Sequence, residues 1–355
     1  MSKKISPQDV LRALSAIQDP DLRRDIVSLG FVKDLEVGDN RVSFAIELTT
    51  PACPIKDQLA ASARQAVQSL GVADVQVRLT SQVTSPRAGK NNLIPQVKNT
   101  VAVASGKGGV GKSTVAANLA VALMRTGAQV GLMDADVYGP SVPALMGGSE
   151  QPRVVEGKIE PPVEHGIKII SMAYFLPKDE AVIWRGPMLH KTVQQFLGEV
   201  RWGELDYLIM DLPPGTGDIQ LSLSQTVPLT GAVIVSTPQD LALTVASKAI
   251  AMFQKLQVPI LGLVENMSYY LCPQCGHREE IFGHGGAREA ARNLGFPFLG
   301  EIPLDPAIRI QSDDGKPVAL VDSTTYGKAF HDVASALAAQ ISIANSQAGQ
   351  DVSIE

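Results

Sequence analysis

A glycine-rich run at residues 106–113 constrains the fold more than any other feature of the sequence. It matches the pattern G-x-x-x-x-G-K-S and lies directly between an apolar run at 101–105 and a helical periodicity that begins at Lys112. A loop between a strand and a helix turns its backbone N–H groups, and the positive end of the helix, toward phosphate oxygens. The pattern therefore predicts a phosphate-binding loop at the edge of a sheet.

Short apolar runs alternate with helical periodicities from Thr100 onward. Runs that are apolar throughout indicate strands buried on both faces, as in a parallel sheet covered by helices. Strands are predicted at residues 101–105, 130–134, 207–211, 232–236, 261–265 and 298–302. Helices are predicted at residues 112–125, 188–197, 241–256, 287–294 and 326–341. The expected fold class is α/β, with a doubly wound and mostly parallel sheet.

Residues 1–80 follow a different order, α-β-β-α-β, which predicts a small α+β domain before the large one. Ser6 and Pro7 are typical of a helix start, and the strict alternation of apolar residues from Val42 indicates a strand. Residues 81–98 are rich in Ser, Pro, Gly and Asn and are predicted to form a linker. The phosphate-loop domain is predicted at 99–344, followed by a disordered polar tail at 345–355.

Length, charge and cysteine count exclude several classes of protein. The chain has 355 residues, which suits one large and one small domain. A formal charge of −5 argues against sequence-independent binding to DNA or to an anionic membrane. Three cysteines, an odd number, do not suggest the disulfide framework of a secreted protein. Since no apolar run reaches the ~18 residues of a membrane span, we expect a cytoplasmic protein with no membrane or nucleic-acid partner.

The phosphate loop indicates ATP and magnesium as cofactors. Lys112 is expected to contact the β- and γ-phosphates, and Ser113 to bind Mg²⁺ through its hydroxyl group. The residues predicted to bind the nucleotide are Gly106, Lys107, Gly108, Gly109, Val110, Gly111, Lys112, Ser113 and Thr114.

Aspartates follow two of the predicted strands at their carboxyl ends, where ligands bind in such sheets. Asp134 is expected to lie near the metal, and Asp136 to orient or deprotonate the attacking water. Asp211 ends another strand and is predicted to hold Mg²⁺ through a water molecule. The following segment, 213–218, is predicted to be a nucleotide-sensing switch loop. These residues predict an ATP hydrolase.

Lys107 is a second lysine inside the loop, in the pattern K-G-G-x-G-K-S. This pattern resembles the signature of the MinD/ParA/nitrogenase-iron-protein class of deviant-Walker ATPases. In that class the lysine reaches across a homodimer interface to the partner's nucleotide, where a cation offsets the repulsion between two triphosphates. The resemblance implies a homodimer and a catalytic role for Lys107.

Cys272 and Cys275 stand at the C-x-x-C spacing of metal ligands, but two thiolates make only half a site. In one interpretation, two chains each give a pair and hold a [4Fe–4S] cluster on their two-fold axis. In a second, the pair binds zinc together with His277 or His284, which the spacing alone favours. In a third, the pair is a redox dithiol or inert. The dimer suggested by Lys107 favours the cluster.

Several of these motifs together resemble the Mrp/ApbC-type iron–sulfur carrier ATPases. They are the loop at 106–113, DADVYGPS at 134–141, WRGP at 184–187, the segment at 211–218, and Cys272 with Cys275. Residues 6–80 are similar to the small SufT-like iron–sulfur-assembly domain that often precedes this ATPase. The resemblance implies a homodimer that hydrolyses ATP, binds a labile [4Fe–4S] cluster and passes it to apo-proteins. It also implies that Asn266 hydrogen-bonds an adenine edge.

Cys53 occupies the position of a reactive cysteine in that small domain. We expect a helix to begin at Pro54, so that its dipole lowers the pKa of the thiol. The alternative is a buried, inert thiol. Rival functions for the whole chain are a partition or positioning ATPase, and a zinc-regulated switch ATPase without cluster transfer.

Overall fold

The computed structural model describes residues 5–85, 92–137, 139–175, 186–215 and 229–350. Its helices are α1 Pro7–Leu14, α2 Lys56–Gln68, α3 Lys112–Arg125, α4 Val142–Leu145, α5 Gly186–Gly198, α6 Asp240–Lys255, α7 Gly286–Leu294, α8 Pro306–Asp313 and α9 Thr325–Gln350. The strands of the first part of the chain are β1 Gln18–Asp19, β2 Arg24–Asp25, β3 Val32–Val37, β4 Arg41–Leu48 and β5 Asp74–Ser81. Those of the second part are β6 Val97–Ser105, β7 Val130–Asp134, β8 Arg153–Val155, β9 Lys158–Glu160, β10 Val163–Glu164, β11 Ile167–Ser171, β12 Leu205–Asp211, β13 Gly231–Ser236, β14 Ile260–Glu265, β15 Tyr270–Leu271, β16 Arg278–Glu279 and β17 Phe298–Glu301.

A central sheet runs in the order β10-β11-β7-β12-β6-β13-β14-β17. Its neighbouring strands are parallel except for the edge strand β10, which is antiparallel to β11. Successive residues of β6 point into opposite apolar clusters: Val101 and Val103 face the cluster with α3 and α9, and Ala102 faces the one with α5, α6 and α7. Helices therefore cover both faces, and the predicted α/β fold class is confirmed.

All six predicted strands of this sheet exist, and the structure adds β10 and β11 at one side. The prediction missed β11 because Lys168 interrupts its short run of apolar residues. Its omission matters, because β11 pairs with β7 and brings Ser171 level with Asp134.

The first part of the chain forms a three-stranded sheet in the order β3-β4-β5, packed with α1 and α2 around its own apolar core. The predicted α-β-β-α-β order is present, with a short β1-β2 pair inserted after α1. Helix α2 begins at Lys56, later than the predicted start at Pro54. The segment of the small domain that precedes α2 contacts the large sheet. The hydroxyl groups of Thr50 and Tyr207 lie 3.0 Å apart there in a buried hydrogen bond.

The predicted disordered tail is wrong at residues 345–350, because α9 continues to Gln350. Asn345 is buried and its amide donates to the Thr84 carbonyl and to Asn99 Oδ1, at 2.9 Å each. These contacts hold this part of α9 against the start of β6. The polar Asn345 therefore stabilises the end of the helix and does not mark the start of a disordered tail. Residues 351–355 lie outside the described part of the chain. Across the described ranges, no helix combines the length and apolar character that a membrane crossing requires.

Candidate nucleotide site and cysteine hairpin

The phosphate loop connects β6 to α3 at the centre of the sheet. Gly109 and Gly111 both have left-handed backbones, with φ of 80° and 79°. At Gly111 a side chain is excluded for a second reason, because a Cβ atom there would collide with the amide nitrogen of Asn266. The loop therefore adopts a curl that requires glycine, and α3 begins directly at Lys112.

Lys112 is a buried cation among carboxylates. Its side chain is 7% exposed, and its Nζ lies 2.5 Å from Asp211 Oδ1 and 3.7 Å from Asp136 Oδ2. The same ammonium group donates to the Ser113 hydroxyl at 3.3 Å. The structure thus brings together the predicted phosphate-binding lysine, the predicted magnesium ligands Ser113 and Asp211, and the predicted water-orienting Asp136.

Among the described residues, two buried carboxylate oxygens in this group have no hydrogen-bond partner, namely Asp136 Oδ1 and Asp211 Oδ2. Burial raises the pKa of Asp211, against the opposing influence of the Lys112 ammonium and the Ser113 hydroxyl. Unpaired buried carboxylate oxygens are costly unless a cation satisfies them. Hard oxygen ligands of this kind suit Mg²⁺, so the residues fit the metal predicted from the sequence.

Asp134 is fully buried, and both of its carboxylate oxygens already accept hydrogen bonds from protein groups. Oδ1 accepts from the N–H of Asp136 at 3.1 Å, while Oδ2 accepts from the N–H of Val142 at 3.1 Å and from the Ser171 hydroxyl at 2.9 Å. Burial, followed by the neighbouring Asp211, raises the pKa of Asp134 to about 7. This geometry does not support the predicted role of Asp134 as a magnesium ligand. It indicates that the Asp134 carboxylate stabilises the loop that carries Asp136.

Lys107 lies on the solvent side of the loop, partly exposed, and its carbonyl oxygen accepts a hydrogen bond from Ser105 at 3.0 Å. Lys107 is thus more exposed than the buried Lys112. A side chain in this position is available to a second molecule that faces the loop.

A cavity of about 300 Å³ opens beside the loop. The predicted nucleotide-binding residues Thr114 and Asn266 line it, and Asn266 donates to the Val110 carbonyl at 2.8 Å. Most of its other walls were missed by sequence reasoning, because they come from a distant part of the chain: Pro303, Leu304, Asp305, Ile308, Arg309, Ser312 and Asp313. Of these, Asp305 had a detectable signal, since an aspartate followed by proline is typical of a helix N-terminus, and Asp305 caps α8.

Cys272 and Cys275 lie in the tight turn that joins β15 to β16. The turn is closed by hydrogen bonds from Cys272 N–H to the His277 carbonyl and from Gly276 N–H to the Cys272 carbonyl, both at 2.9 Å. The backbone N–H groups of Cys275 and Gln274 lower the pKa of Cys272. Cys275 is exposed and Cys272 partly so. The turn therefore presents two thiols to solvent and favours the thiolate at Cys272, the form that binds metals.

The two histidines that were predicted as further zinc ligands have other partners. His277 Nε2 lies 3.2 Å from Glu279, and His284 Nδ1 lies 3.1 Å from the Arg278 guanidinium. Within the described ranges, no group of three or more His, Cys, Asp or Glu side chains is arranged to hold a metal ion. The turn by itself thus supplies half of a four-ligand site.

Glu265 was also missed by sequence reasoning. It ends β14, is fully buried, and accepts hydrogen bonds from the Ser268 hydroxyl at 2.6 Å and from the Ala287 N–H at 2.7 Å. A charged residue that ends an apolar run was a usable signal, because such a charge requires partners when buried. Glu265 joins the start of α7 to the segment between Asn266 and the cysteine turn.

The prediction for Cys53 was wrong in direction, because burial raises the pKa of its thiol despite the Ile55 N–H beside it. Cys53 is buried in the core of the small domain. Among the other sequence predictions, Tyr138, Trp184, Arg185 and residues 216–218 lie outside the described residues.

A glycine loop, a buried lysine and strand-end aspartates in a parallel sheet define a P-loop NTPase. The sequence model of the family described as "NUBPL iron-transfer P-loop NTPase" matches residues 96–338, and that of an iron–sulfur cluster assembly protein matches residues 7–79. The chain belongs to the iron-transfer P-loop NTPase family, and an iron–sulfur cluster assembly domain precedes its NTPase part.

Curated relatives match almost the whole chain. The "Iron-sulfur cluster carrier protein" of Deinococcus radiodurans is 52% identical, over 94% of this chain and 95% of that protein. A protein of the same name from Synechocystis is 44% identical, over 94% of this chain and 98% of its own. Among solved structures, a nucleotide-binding protein from Archaeoglobus fulgidus in complex with ADP is 44% identical with a TM-score of 0.57, over 62% of this chain and 88% of that chain.

Proposed function

We propose that the chain is a Mg²⁺-dependent ATP hydrolase that acts as a homodimer, binds a labile [4Fe–4S] cluster between its subunits and transfers the cluster to apo-proteins. One observation carries the proposal: the phosphate loop and the exposed thiol pair are joined by one short segment. Asn266 contacts the loop through Val110, and Cys272 follows only a few residues later. The names of the curated relatives support an iron–sulfur cargo.

The nucleotide half of the proposal rests on the residues around Lys112. Its ammonium is already desolvated among Asp136 and Asp211, where it would meet the β- and γ-phosphates of ATP. Ser113 and the unpaired Oδ2 of Asp211 would hold Mg²⁺. When bound, Mg²⁺ neutralises charge on the phosphate oxygens. Asp136, with its unpaired Oδ1, orients or deprotonates the attacking water.

Adenine occupies the cavity lined by Thr114 and Asn266. The solved relative with ADP supports a nucleotide in this fold. Lys107 lies outside the buried group and contacts the nucleotide of the partner subunit, so that hydrolysis requires the dimer.

The cluster-binding part of the proposal rests on a metal site for which one chain supplies only some of the ligands. An iron–sulfur cluster of four irons takes four thiolates, and the turn offers Cys272 and Cys275. A second copy of the same turn, related by a two-fold axis, supplies the other two. A cluster held between exposed turns is accessible to an acceptor protein and is released when the subunits separate.

Anaerobic reconstitution with iron and sulfide tests the cargo. We expect about four irons and four sulfides per dimer, with sulfur-to-iron charge-transfer absorption in the visible range. Cys272→Ser and Cys275→Ser should lose both the absorption and the iron while staying folded. Cys53→Ser is the matched control and should keep the cluster, since its thiol is buried away from the turn.

The rival functions give different results in the same experiment. A zinc-regulated switch would hold zinc and no sulfide. A partition-type ATPase would need neither cysteine, and both cysteine variants would hydrolyse ATP and dimerise as the unchanged protein does. For the transfer step, an apo-ferredoxin should gain its cluster from the loaded protein and not from the Cys275→Ser variant.

We also propose the domain order predicted from the sequence, namely a small domain at 1–80, a linker and an ATPase domain, with the linker shorter than the predicted 81–98 because β5 reaches Ser81 and β6 begins at Val97. Matches of the two family models at residues 7–79 and 96–338 support this division. For the compartment, we propose the cytoplasm, and for the partners, cluster donors and apo iron–sulfur proteins, with no nucleic acid and no membrane.

A further inference from the structure

Ser171 ends β11 beside the end of β7. The pairing register of the parallel strands places Ser171 level with Asp134, and Asp134 level with Asp211 on the next strand. The three residues form one row across the carboxyl ends of β11, β7 and β12. Ser171 is fully buried, so its hydroxyl group needs protein partners.

The row supports the loop that carries Asp136. One carboxylate, that of Asp134, accepts hydrogen bonds from both ends of this loop: from the Asp136 N–H at 3.1 Å and from the Val142 N–H at 3.1 Å. The loop thus closes on a single side chain. The direction of the Asp136 side chain depends on where the Asp134 carboxylate is held.

Ser171 holds that carboxylate from outside the loop. Its Oγ lies 2.9 Å from Asp134 Oδ2 and accepts a hydrogen bond from the Ala173 N–H at 3.1 Å. When Asp134 is ionised its carboxylate only accepts, so the Ser171 hydroxyl donates to it. The two N–H donors belong to the loop itself and move with it, whereas Ser171 belongs to the sheet.

We propose that Ser171 is a positioning residue for ATP hydrolysis, which fixes the Asp134 carboxylate and, through it, the backbone of Asp136. This inference rests on the proposed ATPase function. Ser171 does not touch the nucleotide and acts on the reaction only through Asp134. Its loss therefore affects turnover more than nucleotide binding, because the phosphate loop and Lys112 remain in place.

The test compares Ser171→Ala and Ser171→Thr in steady-state ATP hydrolysis and in ATP binding. A hydrogen bond to a charged group contributes enough for about a tenfold change, so kcat of Ser171→Ala should fall about tenfold with the ATP dissociation constant within about twofold. Ser171→Thr keeps the hydroxyl and should recover most of the rate. Ser342→Ala is the matched control, because Ser342 is a buried serine bonded within α9 to the Ala338 carbonyl, and its kcat should not change.

A double-mutant cycle with Asp134→Asn separates positioning from general loss of structure. If Ser171 acts through Asp134, the two losses in kcat are not additive. Additive losses, or a full rate in Ser171→Ala, would overturn the inference. Amide hydrogen exchange at Asp136 and Val142 gives a second measurement and should be faster in Ser171→Ala than in Ser342→Ala. Should the unchanged protein hydrolyse no ATP, the proposed function fails, while unchanged exchange at these amides would overturn the role of Ser171 independently.

Discussion

Replacing Lys112 with alanine tests whether the buried ammonium holds the site together before any nucleotide binds. Lys112 Nζ lies 2.5 Å from Asp211 Oδ1, and the Asp211 side chain is fully buried. The substitution removes the cation and leaves two buried carboxylates, those of Asp136 and Asp211, without it. We therefore expect both lost hydrolysis and lower stability.

The magnitude follows from burial. Breaking a buried ion pair by removing one partner typically costs about 3–5 kcal/mol, because the other charge stays buried. In a domain of this size that corresponds to a drop in Tm on the order of 10 °C. The pH dependence of this loss of stability identifies the Asp211 carboxylate as its cause. Burial already raises the pKa of Asp211, and removing Lys112 removes the main influence that opposes it.

A carboxyl whose pKa is higher in the folded than in the unfolded state loses stability as the pH rises through the folded value. The deficit of Lys112→Ala relative to the unchanged protein should therefore be largest at alkaline pH. It should shrink as the pH falls toward about 4, the unfolded value for aspartate, where Asp211 is protonated in both states.

The assay is urea unfolding at several pH values with a chelator present, beside ATP hydrolysis with Mg²⁺. Lys98→Ala is the matched control, because Lys98 pairs with Asp206 at 2.8 Å near the other end of the same strands but is 41% exposed. A pair this exposed contributes at most about 1 kcal/mol. Equal stability of Lys112→Ala and Lys98→Ala at every pH would refute the reasoning, and normal ATP turnover in Lys112→Ala would refute the phosphate-loop assignment.

Three further substitutions test the rest of the site. Asp136→Ala should keep ATP binding and lower hydrolysis by at least about 100-fold, and a loss of binding would contradict its role with water. Lys107→Ala should lower turnover with the fold unchanged, whereas an unaltered rate would argue against its action on the partner's nucleotide. Gly111→Ala should weaken ATP binding about tenfold or more, since it combines a φ of 79° with the collision at Asn266. Its control, Gly127→Ala, has a φ of 102° but open space around it, and should cost stability without loss of binding.

The sequence predicted the sheet and the phosphate loop well because both depend on local patterns. Apolar runs of five to seven residues are long enough to identify buried strands. Their carboxyl ends then meet at one edge of the sheet, so Asp136 and Asp211 could be expected near Lys112 without knowledge of the tertiary structure. The prediction of a disordered tail was wrong because the helix there depends on contacts with distant residues. Asn345 is held in the helix by hydrogen bonds to Thr84 and Asn99.

The walls of the base cavity and the supports of Asp134 were not predictable in this way. Ile308 and Ser312 reach the cavity only because α8 packs next to the phosphate loop, which no nearby residue pattern encodes. Ser171 required the knowledge that β11 lies beside β7, and the strand itself was missed. Contacts between distant segments thus account for the part of the site that sequence reasoning left out.

Cys53 and Cys272 illustrate how far the environment overrides a motif. Cys53 precedes α2, where a helix dipole favours a thiolate, yet burial dominates and its pKa rises. Cys272 gains N–H donors from its own turn, and its pKa falls. The segment of Thr50, which precedes Cys53, docks on Tyr207 near the start of β12, whereas the cysteine turn follows the end of β14. From Tyr207 to the end of β12 alone is roughly 13 Å at the usual rise of a strand. Cys53 thus lies apart from the cysteine turn, which agrees with the proposal that a second copy of the turn supplies the other two thiolates.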